Sequence, residues 1–344
     1  MEIRTLLVDS SYLLKRSLNG AKDISTDKFG MIGGLYQFFT TIRKLITDHK
    51  INKVVLAWDG ENGGFYRYKM DKAYKSNRKN KSWYNKINLT EYEIKKEEEK
   101  NFSVLKQKKR IQAYAEELFF RQIEVDKIEA DDIISLYCQT YNEKEEIYLY
   151  SKDQDFLQLL KYNITILFPN IQIPITKQTF MLNFEYHYSN SLTMKIICGD
   201  NSDVVEGVKG VQQKTLLKYF PDLKFRYMSV KEICMEAKKI NEDRIINKKK
   251  ELSALKNILN SIDRMKLNYK LVNLDEPIIN DEVKELFEYL EVPLSMDDRN
   301  SKNLYNLMIE DEFLNIYKST FVNYVKPFYP VITQEQQKFK EYYK

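Results

Sequence analysis

Short apolar runs punctuate residues 1–170, and most end at a polar or acidic residue. Leu6-Leu7-Val8, Val54-Val55-Leu56-Ala57-Trp58 and Ile147-Tyr148-Leu149-Tyr150 are the clearest. Runs of this length without alternation predict strands buried on both faces, over 3–8, 53–58, 146–151 and 164–168. Between them the apolar period changes to that of a helix. Leu35, Phe38, Phe39, Ile42, Leu45 and Ile46 predict a helix over 31–48, and Ile133, Ile134 and Tyr137 one over 129–141. Further helices are expected over 101–120 and 154–160. Strands alternating with helices predict an α/β fold with a parallel, doubly wound sheet.

From about residue 189 the strand signals fade, and 192–198, 212–220, 230–264 and 281–290 read as helices. The organisation expected is an α/β core over 1–188, a mainly α-helical domain over 189–328 and a tail over 329–344. Residues 60–100 break the rhythm with a polar, basic and aromatic stretch. A segment this long inside an α/β domain is more often functional than idle. Within it, 95–100 reads as a solvated helix face.

Nine acidic residues are placed against this pattern: Asp9, Asp59, Glu129, Asp131, Asp132, Asp153, Asp155, Asp200 and Asp203. Asp9, Asp59 and Asp153 follow predicted strands directly or within three residues. In a parallel sheet, ligands bind in the crevice beyond the strand C-termini. Carboxylates gathered there repel one another and cannot all ionise without a cation. Hard divalent ions such as Mg²⁺ take oxygen ligands of this kind. Taken singly, each acid has a plainer role as a turn residue or helix cap. The ordered set predicts metal-assisted phosphate chemistry.

Composition removes other classes. The only histidines are His49 and His187, which argues against triads and histidine-rich metal sites. Cys138, Cys198 and Cys234 lie far apart, so neither a zinc site nor a disulfide framework is supported. No phosphate-binding G-x-x-x-x-G-K-[ST] loop occurs. No apolar run approaches the ~20 residues of a membrane span, and the N-terminus lacks the apolar stretch of a signal peptide. A cytoplasmic protein is expected. Net charge is +5 despite the acids, so positive charge is concentrated elsewhere. Residues 67–86 hold eight Lys or Arg against one acid, Asp71, which points to a polyanionic partner. Lys75 and Arg78 are three residues apart and would share a helix face.

The order and context of these residues resemble the flap endonuclease / 5′→3′ exonuclease family. Val8-Asp9-Ser10-Ser11-Tyr12 resembles its first metal strand, and Trp58-Asp59 with Tyr74-Lys75-Ser76-Asn77-Arg78 its second motif. Glu129-Ala130-Asp131-Asp132 and Ser151-Lys152-Asp153-Gln154-Asp155-Phe156 are close to family signatures. Gly199-Asp200-Asn201-Ser202-Asp203 through Lys214-Thr215 resembles its last metal cluster and helix-hairpin-helix region. The resemblance covers residues 1 to about 220. It extends faintly to about 320, where Asn268 to Asp275 is most similar to the T-even phage ribonuclease H branch. One departure lies in the hairpin, Gly207-Val208-Lys209-Gly210-Val211-Gln212, where Gln212 replaces the usual last glycine.

The resemblance implies a PIN/5′-3′ exonuclease-like core acting on 5′ flaps, nicked duplexes and RNA:DNA hybrids with two Mg²⁺ ions, for which Mn²⁺ can substitute. Asp9, Asp59, Glu129 and Asp131 would surround one ion, with Asp132 in direct or outer contact. Asp153, Asp155, Asp200 and Asp203 would serve the other. Lys75 and Arg78 would grip the scissile phosphate, and Tyr74 would stack on a base. Arg67, Lys69, Lys79 and Lys81 would line an arch over a single strand. Gly207, Lys209, Gly210, Gln213, Lys214 and Lys218 would hold duplex phosphates. In the tail, Gln336, Phe339, Tyr342 and Tyr343 fit a Q-x-x-h-x-x-a-a pattern similar to sliding-clamp-binding peptides. Removal of RNA primers in phage replication, within the host cytoplasm, would follow; the alternatives are a PIN-like ribonuclease and a nucleic-acid-binding factor without hydrolysis. The chain would be a monomer, with a clamp and a single-strand-binding protein as partners.

Overall fold

The computed structural model describes residues 2–21, 23–77, 91–297 and 299–343. Five strands form one parallel sheet: β1 Arg4–Asp9, β2 Lys53–Ala57, β3 Arg121–Ile123, β4 Glu146–Tyr150 and β5 Thr165–Leu167, in the order β3-β2-β1-β4-β5. Central β1 pairs Leu7 with Val55 on one side and Leu149 on the other. All three side chains are fully buried, which is why these strands read as unbroken apolar runs. The strand order reverses between β1 and β4, so a crevice opens beyond their C-terminal ends. The expected α/β fold is present.

Helices cover both faces. One core unites Leu6, Val8 and Trp58 with α1 Ser10–Gly20, α2 Gly33–His49 and the C-terminal half of α4 Glu91–Glu117. Trp58 stacks on Phe38 of α2, centroids 5.9 Å apart. The other core joins Leu7, Val55 and Leu149 to α5 Ala130–Tyr141 and a 3₁₀ helix over Gln154–Tyr162. A short helix, α3 Phe65–Met70, follows β2.

The second half is helical but is not one body. Helices α6 Ser191–Cys198, α7 Gln213–Tyr219, α8 Val230–Ile246, α9 Ser253–Asn260, α10 Ile262–Val272 and α11 Asp281–Glu291 extend the core shared with α5. The later segments, α12 Ser301–Glu310 among them, send Leu304, Met308, Phe313, Tyr324 and Phe328 into the core of the opposite face. The single helix expected over 230–264 is broken twice. Lys248, at φ 53°, turns the chain, and buried Asn241 fixes the loop by accepting from Leu252 N at 2.9 Å.

The tail from Tyr329 packs on the body as a helix. Tyr329–Tyr342 is a helix, with Val331 and Glu335 buried and Glu335 paired to Arg121 of β3 at 2.7 Å. Phe339 is half-buried, while Gln336, Tyr342 and Tyr343 are exposed. Among the described residues, no helix is long and apolar enough to cross a membrane.

Candidate active site

The strand ends deliver the carboxylates. Asp9 closes β1 and caps α1. Its Oδ1 accepts from Tyr12 N at 3.0 Å, and its Oδ2 from Ser151 Oγ, just after β4, at 2.9 Å. Asp59 follows β2. Its N–H donates to Ser11 Oγ at 3.0 Å, and its Oδ1 accepts from Ala130 N at the start of α5, also at 3.0 Å. Asp153 caps the 3₁₀ helix by accepting from Asp155 N at 2.8 Å. Asp200 sits in a two-residue antiparallel ladder, Gly199–Asp200 with Val205–Glu206, and accepts from Ser202 N at 2.7 Å. A cavity of about 470 Å³ is lined by Asp9, Asp59, Asp131, Asp153 and Asp200, with Tyr12, Lys15, Lys75 and Lys195.

Burial and crowding divide the acids into two kinds. Burial first, then Asp59 and Asp153, push Asp9 up to about 6. Burial and Asp153 push Asp155 up to about 7, although Lys195 opposes the shift. Asp131 is also driven well above the carboxylate range, by burial and then by Asp153. Glu129 and Asp200 move the other way. Burial works against their charge, but Lys75 and Arg67 hold Glu129 low and Lys195 holds Asp200 low. Lys75 pairs with Glu129 and lies 3.5 Å from Asp203, while Lys195 bridges Asp155 and Asp200. One Asp155 oxygen is buried against the Lys195 ammonium, its ion-pair partner.

The donors are all carboxylate oxygens, which suits a hard divalent ion rather than a soft one. Among the described residues, no group of three acids is arranged to enclose one ion directly. A bound ion would therefore retain water, as Mg²⁺ commonly does.

The family model for the 5′-3′ exonuclease N-terminal resolvase-like domain matches residues 4–185. The chain belongs to this family. A 5′-3′ exonuclease of Mycoplasmopsis pulmonis is 28% identical over 284 residues, covering 80% of this chain and 88% of the relative. One of Buchnera aphidicola is 25% identical over 233 residues, covering 66% and 74%. Among solved structures, T5 5′-exonuclease with bound zinc ions matches with a TM-score of 0.61 at 17% identity, covering 90% of this chain and 99% of that one. A T5 flap endonuclease complex with DNA and metal ions gives 0.60 at 16%, with the same coverage. These structural likenesses are likenesses of fold.

Within this 5′-3′ exonuclease fold, several expected site residues have other work. Asp132 is buried and bound by both Nη atoms of Arg67, at 2.6 and 2.7 Å, and accepts from Ile278 N at 2.9 Å. It is a structural anchor and not a ligand facing the cavity. Arg67 is only 4% exposed and also reaches Glu129 at 2.7 Å and Leu271 O at 2.8 Å, so it cannot meet nucleic acid. Tyr74 is buried, with its hydroxyl donating to Glu129 at 3.2 Å, which removes its ring from base stacking. Lys75 lies in a turn at φ 51°, its N–H donating to Asp203 O at 2.8 Å, and not on a helix. Arg78, Lys79 and Lys81 lie outside the described residues. Lys69 is exposed, and so are Lys209, Gly210, Lys214 and Lys218; Gly207 and Gln213 are half-buried.

The hairpin explains its own departure from the family pattern. Gln212 is extended at φ −120°, a conformation that needs no glycine. Gly207 is different, because a Cβ there would stand 2.1 Å from Cys198 O. Lys195 is the charged residue of the crevice that the sequence pattern conceals. It lies within an apolar run, and its one signal is a lone charge on the helix leading into Gly199-Asp200.

The raised groups set a pH dependence. In the folded chain Asp9 and Asp155 keep their protons to about pH 6 and 7, against a reference of 3.8. Their contribution to stability is present below the reference value and is lost as pH rises through 6–7. A divalent ion held by these acids would remove that penalty by stabilising their charged forms. Saturating Mg²⁺ should raise the melting temperature by ~5 °C at pH 8 and hardly at all at pH 5, with EDTA reversing the gain. Thermal scans at the two pH values check this, and equal shifts would contradict it.

Proposed function

We propose that this protein is a structure-selective nuclease that hydrolyses phosphodiester bonds from 5′ ends and at 5′ flaps. The observation that carries the reading is the joint lining of one crevice by Asp9, Asp59, Asp131, Asp153 and Asp200 at the switch point of the sheet. The names of the relatives and the DNA-bound T5 structure support the same reading. Asp9, Asp59, Glu129 and Asp131 would hold one Mg²⁺, and Asp153, Asp155, Asp200 and Asp203 a second, with Mn²⁺ able to substitute. Bound there, such ions would polarise the phosphate and lower the pKa of a coordinated water. That chemistry would take the place of a histidine base, since His49 and His187 are absent from the lining of the crevice.

The chain's own groups supply charge and position. Arg67 and Lys75 keep Glu129 ionised, and Lys195 does the same for Asp200. Lys75 and Lys195 both line the cavity, placing ammonium groups where a scissile phosphate would enter. Exposed Lys209, Lys214 and Lys218 would hold duplex phosphates without reading bases. Lys69, with Arg78, Lys79 and Lys81, would guide the 5′ strand. RNA:DNA hybrids, nicked duplexes and RNA primers of phage replication are the proposed substrates, cut by a monomer in the host cytoplasm. A single-strand-binding protein is a proposed partner. A sliding clamp is another, through Gln336, Phe339, Tyr342 and Tyr343.

The test is cleavage of a 5′-flap DNA labelled at both ends, beside a single-stranded RNA, in Mg²⁺ or EDTA. Cutting near the flap junction in Mg²⁺ alone is expected. Preference for the single-stranded RNA would contradict the reading.

A further inference from the structure

On the helical side of the molecule, away from the carboxylates, two cavities of about 540 and 430 Å³ adjoin and share Ile196, Val230 and Tyr269. Together they form one groove across α6, α8 and α10. Lys195 of α6 lines the carboxylate crevice, while the next residue, Ile196, lines the groove. Its walls include large apolar side chains left open to solvent: Tyr227 is 57% exposed, Ile262 45% and Tyr269 37%. Met265 and Cys234 complete an apolar floor. Contiguous exposed apolar surface rimmed by polar groups is the mark of an interaction site.

At the larger cavity the rim carries one sign of charge, while Asp275, ion-paired with Lys161, lines the smaller. Lys231, Lys266 and Lys270 line the larger cavity, all exposed, and no acidic residue lines it. Lys266 has an ion pair with Asp263 at 3.2 Å, on a carboxylate that is itself almost wholly in water. Such a surface pair contributes little and exchanges readily. An apolar floor with a cationic rim complements a segment that offers apolar anchors flanked by carboxylates. Duplex DNA would satisfy the lysines but would gain nothing from Ile262, Met265 and Val230.

We infer that the α6–α8–α10 groove docks an acidic peptide segment of a partner protein, with apolar side chains seated between Ile262 and Tyr269 and carboxylates against Lys231, Lys266 and Lys270. The inference does not rest on the nuclease reading, since none of these residues belongs to the carboxylate site.

The probe is a fluorescein-labelled peptide of five aspartates followed by Leu-Gly-Leu-Phe, titrated with the full-length protein. Its control carries lysines in place of the aspartates. Anisotropy should rise for the acidic peptide alone and weaken with added salt. The Lys266→Glu/Lys270→Glu double variant should weaken binding by about ten-fold or more, and Ile262→Ser should weaken it through the floor. Both variants replace exposed side chains, and urea unfolding midpoints equal to the parent's would show that they are folded. No rise with the acidic peptide, equal binding of the lysine control, or unchanged affinity in both variants would overturn the inference. Displacement of the peptide by a thymidine oligonucleotide as effectively as by unlabelled peptide would overturn it too, and would make the groove a single-strand path.

Discussion

Replacing Arg67 with methionine should lower the free energy of unfolding by about 3–5 kcal/mol, the largest stability effect expected of any single exchange near the site. Methionine fills much of the same volume, so the loss is electrostatic and not a cavity. Arg67 donates to Glu129, to both oxygens of Asp132 and to Leu271 O, and all three side chains are buried. Its removal leaves two carboxylates without their guanidinium in a place water does not reach. Arg67→Lys keeps the charge but cannot reproduce the planar fork, so an intermediate loss is expected. A double variant, Arg67→Met with Asp132→Leu, should recover part of the loss by removing one stranded charge. Urea unfolding midpoints for the four proteins measure these differences. A loss below ~1 kcal/mol in Arg67→Met, within the range of an exposed ion pair, would mean that the cluster is hydrated and the buried network is misassigned.

Asp131→Asn should show the opposite balance, with a large loss of activity and no loss of stability. Asp131 lines the crevice, and burial together with Asp153, Glu129 and Asp9 disfavours its charge. An amide of the same shape ends that repulsion. Without metal at pH 8 the variant should be as stable as the parent or more so. As pH falls the difference should shrink, because burial and Asp153 favour the parent's protonated carboxyl. Cleavage should fall by ~10²–10³-fold, the scale of removing one preorganised electrostatic group. Single-turnover cleavage and denaturant unfolding of the same preparation test both halves. Reduced stability with normal cleavage would reverse the assignment. Sites that gather like charges for function commonly trade stability in this way.

What could be read from the sequence followed from how each residue meets its surroundings. Strands β1, β2 and β4 were legible because both of their faces are buried, so the apolar run is unbroken. β3 was not, since Arg121 opens it and looks like surface, yet its charge is buried against Glu335 of the last helix. That partner lies more than two hundred residues away, and no local pattern contains it. The carboxylates were legible because strand ends and a Gly-Asp turn place them.

Asp132 was misplaced by adjacency. One step along a helix turns the side chain by ~100°, and that step carries it from the crevice to Arg67. Arg67 and Tyr74 were misplaced because a basic, aromatic segment has the same composition whether its side chains face solvent or the interior. Lys195 stayed hidden for the converse reason: an apolar helix supplies it, and only the fold shows that it spans Asp155 and Asp200.

The most direct measurement is diffraction from crystals soaked in Mn²⁺, recorded where manganese scatters anomalously. Two peaks about 3.5–4 Å apart are expected in the crevice. One should lie among Asp9, Asp59, Glu129 and Asp131, and the other among Asp153, Asp155, Asp200 and Asp203, with Lys195 withdrawn from its two carboxylates. Density confined to other surfaces, with Lys195 still bridging Asp155 and Asp200, would contradict a metal-dependent centre built from these acids.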